Sequence, residues 1–175
     1  MAPLVVLVAA TLAARLAGRL GLRALNDWPA AVRAGLAVMF LFTAAAHFAP
    51  GLRDDLIRMV PPQVPYPALV VTFTGICEVA GAIGLLLPRT RRLAAIALIL
   101  FLLAVLPANI HAALAEVPLR GRPPTPLLPR IALQGLFIGL IWWSGLHAPR
   151  RSRAGDPSGE RTDSTLPEPA DADGR

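Results

Sequence analysis

The sequence has one cysteine, no lysine and little charge of either sign. A single cysteine, Cys77, cannot form a disulfide or a CxxC pair within the chain, so thiol exchange by this chain alone is not expected. Charged residues make up 16% of the 175 residues and hydrophobic residues 55%. A typical soluble domain is more charged and less apolar. The composition therefore predicts an integral membrane protein.

Motifs that would identify an enzyme are also missing. The sequence has no nucleophile elbow, phosphate-binding loop or haem-binding motif, and its histidines and acids lack the spacing of a metal site. All seventeen basic residues are arginines that lie between apolar runs, which argues against a nucleic-acid partner. We expect no metal and no evident cofactor, and a chain that is not catalytic on its own.

Five apolar runs are each long enough to cross the bilayer, which takes about 20 helical residues. The runs are Leu4–Leu22, Pro29–Ala49, Tyr66–Leu87, Leu93–Ile110 and Leu127–Leu146. They predict an all-α protein, a transmembrane four-helix bundle with an additional N-terminal apolar helix. The chain divides into an N-terminal transmembrane or interfacial helix over 1–28, a four-helix membrane domain over 29–148 and a disordered cytoplasmic tail over 149–175.

The first run has two interpretations. Arg15 and Arg19 interrupt it, and their stems can snorkel to the head groups of a spanning helix. The alternative is an amphipathic helix lying on the cytoplasmic face of the membrane. No basic residue precedes the run, so a cleaved signal peptide is not expected. Residues 51–66 predict a short interfacial helix followed by a proline-rich turn.

The arginines orient the predicted spans, because short cytoplasmic loops hold the excess of basic residues. With the C-terminus inside, one side holds twelve of the seventeen arginines. The other side holds Arg53, Arg58, Arg120, Arg122 and Arg130. We therefore predict a cytoplasmic C-terminus and, with five spans, an N-terminus outside.

Glu78 is the one acid inside the third run. A charged residue at the centre of a membrane helix costs about 2.5 to 3.5 kcal/mol, so Glu78 should face other helices and is a functional candidate by default. Gly75 and Gly81 lie on the same helical face and favour close packing of a neighbouring helix. The alternative is a purely structural role.

Three further polar residues are predicted to lie in the outer half of the protein, with Glu78 deeper. His47 ends the second run and is a candidate proton carrier or carboxylate partner. Asn109 follows a helix-breaking Pro107, and Gln134 precedes a Gly135-x-x-x-Gly139 pair that favours helix contact. Asn109 and Gln134 are also typical of hydrogen bonds that only hold helices together.

Several of these residues resemble the pattern of the DoxX-like bacterial membrane proteins. The matching elements are Ala46-His47-Phe48, Met59-Val60-Pro61-Pro62, Gly75-x-x-Glu78 with Gly81, Pro107-Ala108-Asn109-Ile110, and Arg130 followed by Leu133-Gln134. The resemblance covers about residues 33 to 147 and implies a four-helix bundle in a bacterial cell membrane. Some relatives are subunits of membrane redox systems, including thiosulfate:quinone oxidoreductase.

The leading functional hypothesis is an accessory subunit of a quinone-linked or oxidative-stress-related membrane redox system. Glu78, His47, Asn109 and Gln134 would line a pocket for a quinone head group or a proton path. The expected partners are the lipid bilayer, oxidoreductase subunits and a further copy of the chain. A structural or assembly membrane protein and a small transporter are the alternatives.

Overall fold

The structure, a computed structural model, describes residues 2–116, 118, 121 and 126–147. All regular elements in this part of the chain are helical, which confirms the predicted all-α class. The α-helices are α1 (Ala2–Arg19), α2 (Trp28–Ala46), α3 (Leu52–Met59), α4 (Pro67–Leu86), α5 (Arg91–Leu114) and α6 (Leu127–Ile141). A 3-10 turn at Arg23–Leu25 precedes α2, and π-helical turns at Trp142–His147 extend α6. The predicted disordered tail, 149–175, lies outside the described residues.

Five helices are long and apolar enough to cross a membrane, which is the number of spans predicted. They are α1, α2, α4, α5 and α6 with its π-helical extension. Large apolar side chains such as Leu69 and Phe73 point away from the protein and are about two-thirds exposed, at 67% and 66%. An aqueous surface would penalise such exposure, whereas lipid does not.

Local sequence signals determine where the helices begin. The Asp27 carboxylate caps α2 by accepting a hydrogen bond from the backbone N–H of Ala30 at 2.7 Å. Pro29 and Pro67 lie in the first turns of α2 and α4, where a missing N–H costs no helical hydrogen bond. Gly51 precedes α3 at φ 79°, a backbone conformation that glycine adopts readily.

Helix α2 lies at the centre of the packing. It contacts α1 and α4, α4 contacts α5, α5 contacts α6, and the π-helical extension of α6 contacts both α5 and α2. The buried share of its spanning segment is 56%, against 17% to 33% for the other four. The largest fully buried side chains are those of Phe40, Leu36, Met39, Leu85, Leu98, Ile141 and Ser144.

Helix α1 runs antiparallel to α2 along its length. A Cβ atom on Gly35 of α2 would collide with the Thr11 side chain and lie 2.9 Å from the Leu7 carbonyl oxygen. At the other end of α1, the guanidinium of Arg15 donates to Asn26 and lies over the ring of Trp28. A helix lying flat on the membrane beside an upright α2 would not follow it in this way, so the packing favours the spanning interpretation of the first run.

A buried arginine joins α2 to the end of α6. Arg33 donates a 2.7 Å hydrogen bond to the backbone carbonyl of Ser144, whose hydroxyl donates to the Leu140 carbonyl at 2.7 Å. π-Helical turns change the carbonyl pattern, and the C-terminal end of a helix carries partial negative charge. The positive charge of Arg33 is therefore stabilised by the partial negative charge at the C-terminal end of α6.

Glycines bring the helices together at some predicted positions and not at others. Gly75 packs against His47, and Gly81 packs against Leu98 of α5. The close contact predicted at Gly135 and Gly139 is not found within the described chain, because both glycines face outward from α6. A Cβ atom at either position would have no neighbour within 4 Å. A role for this pair in contact with another copy stays a prediction.

Candidate functional site

The site begins at Pro107, which lies inside the continuous helix α5. Proline has no N–H, so the carbonyl of Leu103 loses its usual helical partner. Beside this turn the side-chain amide of Gln134, on α6, donates to the backbone carbonyl of Leu102. Asn109, half a turn after the proline, donates to Gln134 at 3.3 Å. Two helices are thus joined by a chain of amide hydrogen bonds.

The direction of these hydrogen bonds is fixed by the Leu102 carbonyl, which can only accept. Gln134 must therefore present Nε2 to Leu102, which leaves its Oε1 as the acceptor for Nδ2 of Asn109. Asn109 keeps its own Oδ1 and a second N–H for another partner. The pair thus offers one acceptor and one donor from the Asn109 side chain.

Glu78 lies on α4 and is 8% exposed. Its Oε2 accepts a hydrogen bond from the hydroxyl of Thr43 on α2 at 2.8 Å. Its other oxygen, Oε1, lies 3.8 Å from Nε2 of His47. The buried carboxyl group therefore has a hydroxyl donor on one oxygen and an imidazole nitrogen near the other.

His47 follows the last residue of α2 and is held in place by α4. Its Nδ1 lies 2.8 Å from the Val71 carbonyl oxygen and 3.2 Å from the Thr74 hydroxyl. A Cβ atom on Gly75 would lie only 2.7 Å from the His47 Cβ, so the imidazole depends on glycine at that position. Arg53 of α3 donates to the His47 backbone carbonyl at 2.9 Å. The ring is thereby held by α4, and the backbone of the same residue by α3.

A cavity of about 230 Å³ joins most of these groups. Its lining residues are Pro3, Met39, Phe40, Thr43, Glu78, Leu102, Asn109, Arg130, Leu133, Gln134 and Phe137. Three of the four residues predicted for the pocket, Glu78, Asn109 and Gln134, therefore meet in one space. The fourth, His47, is not in the lining and reaches the cavity through Glu78.

A family model matches residues 36–145 and is described as a domain of unknown function, DUF8561. The chain belongs to this family. No curated protein and no solved structure matches the chain. The DUF8561 match includes every cavity residue except Pro3, so α1 adds one wall to a space that the family domain otherwise supplies.

Two polar residues of the DUF8561 cavity were not predicted as site residues. Thr43 and Arg130 line it beside Glu78 and Gln134. Each lies four residues before a predicted site residue on the same helix, Thr43 before His47 and Arg130 before Gln134, and such positions share a helical face. That spacing is the sequence signal from which they could have been found. Arg130 places a permanent positive charge in the same space as the Glu78 carboxyl group.

The wall between these polar groups is apolar and aromatic. Phe40 and Met39 come from α2, and Phe137 and Leu133 from α6. An apolar space with a few convergent polar groups is the usual form of a small-molecule site. Within the described residues, no group of three His, Cys, Asp or Glu side chains is placed to hold a metal ion.

Proposed function

We propose that this DUF8561 protein is an accessory membrane subunit whose cavity binds the head group of a quinone. The observation that carries the proposal is the buried carboxyl group of Glu78 in one apolar cavity with Arg130 and the Asn109–Gln134 amide pair. The resemblance to DoxX-like proteins, some of which belong to quinone-linked redox systems, supports the same choice of ligand.

The size of the cavity fits a single substituted ring. An apolar cavity of about 150 Å³ inside a protein accommodates benzene, whereas sites for drug-sized ligands occupy about 300 to 1,000 Å³. The cavity here, at about 230 Å³, lies between these sizes. A quinone ring fits, with its isoprenoid chain extending into the surrounding lipid.

The polar groups match both redox forms of such a ring. Quinone carbonyls accept hydrogen bonds, for which Arg130 and the remaining Asn109 N–H are donors. Quinol hydroxyls donate, and Glu78 and the Asn109 Oδ1 are acceptors. A bound quinone would supply the redox chemistry, carrying two electrons and two protons. The electrons would come from a partner oxidoreductase subunit, while this chain orients the ring and holds a proton at Glu78.

The proposal includes a membrane arrangement. Helices α2, α4, α5 and α6 would form a four-helix bundle in a bacterial cell membrane, with α1 as a fifth span beside α2. The arginine asymmetry supports a cytoplasmic C-terminus, which puts His47 and the start of α6 towards the outside. The proposed partners are the bilayer, oxidoreductase subunits and a second copy of the chain, which would pack on the exposed face of α6 that holds Gly135 and Gly139.

One observation favours a purely structural role as a second candidate. The hydrogen bonds of Gln134 are made to Leu102 and Asn109, both within the chain. Under this alternative the polar cluster holds α5 to α6, and removing the Glu78 charge lowers stability without affecting any ligand. An assembly protein of this kind would not bind quinone.

The deciding experiment measures the binding of ubiquinone-1 to the purified protein in lipid nanodiscs. Glu78→Gln should weaken binding about tenfold, because loss of one charge-assisted hydrogen bond costs about 1.4 kcal/mol. The matched control is Glu116→Gln, which makes the same change at an exposed residue after α5. Leu133→Trp, which replaces a branched aliphatic side chain of the cavity wall by a bulky indole ring, should abolish binding. Wild-type affinity in both Glu78→Gln and Leu133→Trp would contradict the proposal.

A further inference from the structure

The cavity and the surface at the end of α2 are connected through one pair of side chains. Glu78 lines the cavity, and His47, outside the lining, places Nε2 3.8 Å from Glu78 Oε1. His47 lies directly after the last residue of α2, and its side chain is 13% exposed. The pair therefore extends from the end of the helical packing into the cavity.

The hydrogen bond to Val71 decides which nitrogen of His47 can exchange a proton. A carbonyl oxygen only accepts, so the 2.8 Å contact assigns a hydrogen to Nδ1. The Thr74 hydroxyl, which lies 2.9 Å from the Val70 carbonyl oxygen, has a hydrogen-bond partner of its own. Nε2 is then the nitrogen that gains and loses a proton, and it is the nitrogen that faces Glu78.

The groups around His47 preserve this orientation. Arg53 holds the His47 carbonyl and also donates to Thr72 at 2.8 Å and to the Ala68 carbonyl at 3.0 Å, which ties the end of α2 to the start of α4. Arg53 from α3 and Glu78 from α4 are the charged groups that face His47 in the described contacts. The Arg53 guanidinium is occupied by three acceptors, whereas the Glu78 carboxyl group keeps Oε1 directed at Nε2.

We propose that His47 and Glu78 form a proton path between the aqueous phase at the end of α2 and the cavity. A proton taken up at Nε2 of His47 passes to Oε1 of Glu78 when the two side chains close from 3.8 Å to hydrogen-bond distance, and the imidazole is restored to its neutral form with the hydrogen still on Nδ1. Transfer in the opposite direction releases a proton from the cavity. The path deepens the proposed function, because a quinone bound beside Glu78 would exchange its protons through it.

The experiment follows hydrogen–deuterium exchange of the Glu78 carboxyl group in nanodiscs, without quinone. Infrared spectroscopy identifies the protonated group as the C=O band that Glu78→Gln lacks, at a pH where the band is present. After rapid mixing with D₂O, His47→Gln should slow the shift of this band about 10²-fold, the usual contribution of a positioned proton-transfer group. Imidazole in solution should restore much of the rate to the His47→Gln variant.

His111→Gln is the matched control, since His111 also places Nδ1 near a backbone carbonyl, that of Met59, at 3.2 Å. It should exchange at the wild-type rate. A second variant, Gly75→Ala, displaces the imidazole without removing any titratable group and should also slow exchange; its result decides the matter if His47→Gln does not fold. Three outcomes would overturn the path: wild-type rates in the folded variants, slow exchange that imidazole does not restore, or no Glu78 band at any pH. Because quinone is absent, failure here is distinguishable from failure of quinone binding.

Discussion

The amide chain between α5 and α6 makes a quantitative prediction about stability. Gln134 takes part in two interhelical hydrogen bonds, to Leu102 and from Asn109, whereas Asn109 makes one of them. Such bonds in membrane proteins contribute about 0.6 kcal/mol each on average. Gln134→Leu should therefore lower the free energy of unfolding by about 1.2 kcal/mol and Asn109→Leu by about 0.6 kcal/mol, on the same per-bond average.

The two substitutions should also be non-additive. Both remove the shared hydrogen bond, so the double variant should be about as unstable as Gln134→Leu alone. Equilibrium unfolding by SDS in mixed micelles measures all three, and Gln63→Leu, an exposed position before α4, controls for the change from amide to leucine. If Asn109→Leu costs as much as Gln134→Leu, or the two effects add fully, Gln134 does not make two interhelical hydrogen bonds of which one is shared with Asn109.

Two further predictions concern packing and topology. Gly84→Ala should destabilise the protein by about 1 to 3 kcal/mol, because its Cβ atom would lie 2.6 Å from the Cβ of Ala94, which has no rotamer to escape by. Gly139→Ala, with open space at the same atom, should be neutral or slightly stabilising in the same unfolding assay; an equal loss would show that Gly139 packs against another chain. Reporter fusions at residue 60 and residue 160 should place the first outside and the second in the cytoplasm, and a cytoplasmic signal from residue 60 would refute the orientation.

Hydropathy predicted the number of long helices because each apolar run has the length of a span, but it did not predict where they end. The first run continues in composition to Leu22, yet α1 ends at Arg19, because Gly21 adopts φ 123° and a 3-10 turn follows. Conversely, α5 continues to Leu114 although Pro107 interrupts it. At this turn Gln134 of the neighbouring α6 donates to the Leu102 carbonyl, a contact between helices that a one-dimensional hydropathy pattern does not contain.

The candidate site was partly predictable from the polar residues that interrupt the apolar runs. A polar residue in an apolar helix must face inward, and this rule placed Glu78, Asn109 and Gln134 together. An inward-facing Gln134 is, however, incompatible with the predicted close packing at Gly135 and Gly139 against the same neighbouring helices. Residues one and five positions after an inward Gln134 lie on a different helical face, so the two predictions could not both hold for one set of helix contacts. In the structure Gln134 faces inward and Gly135 and Gly139 face outward.

The separation between His47 and the cavity could not be predicted from sequence, because it depends on where one carbonyl oxygen lies. Placed at a helix end, His47 could have faced water, the cavity or the Glu78 carboxyl group. The Val71 carbonyl selects the last of these by fixing Nδ1, and Gly75 leaves room for the ring. The polar residues are therefore not equivalent members of one pocket. Asn109 and Gln134 join two helices beside the cavity, while Glu78 alone belongs both to the cavity and to the contact that leads out of it.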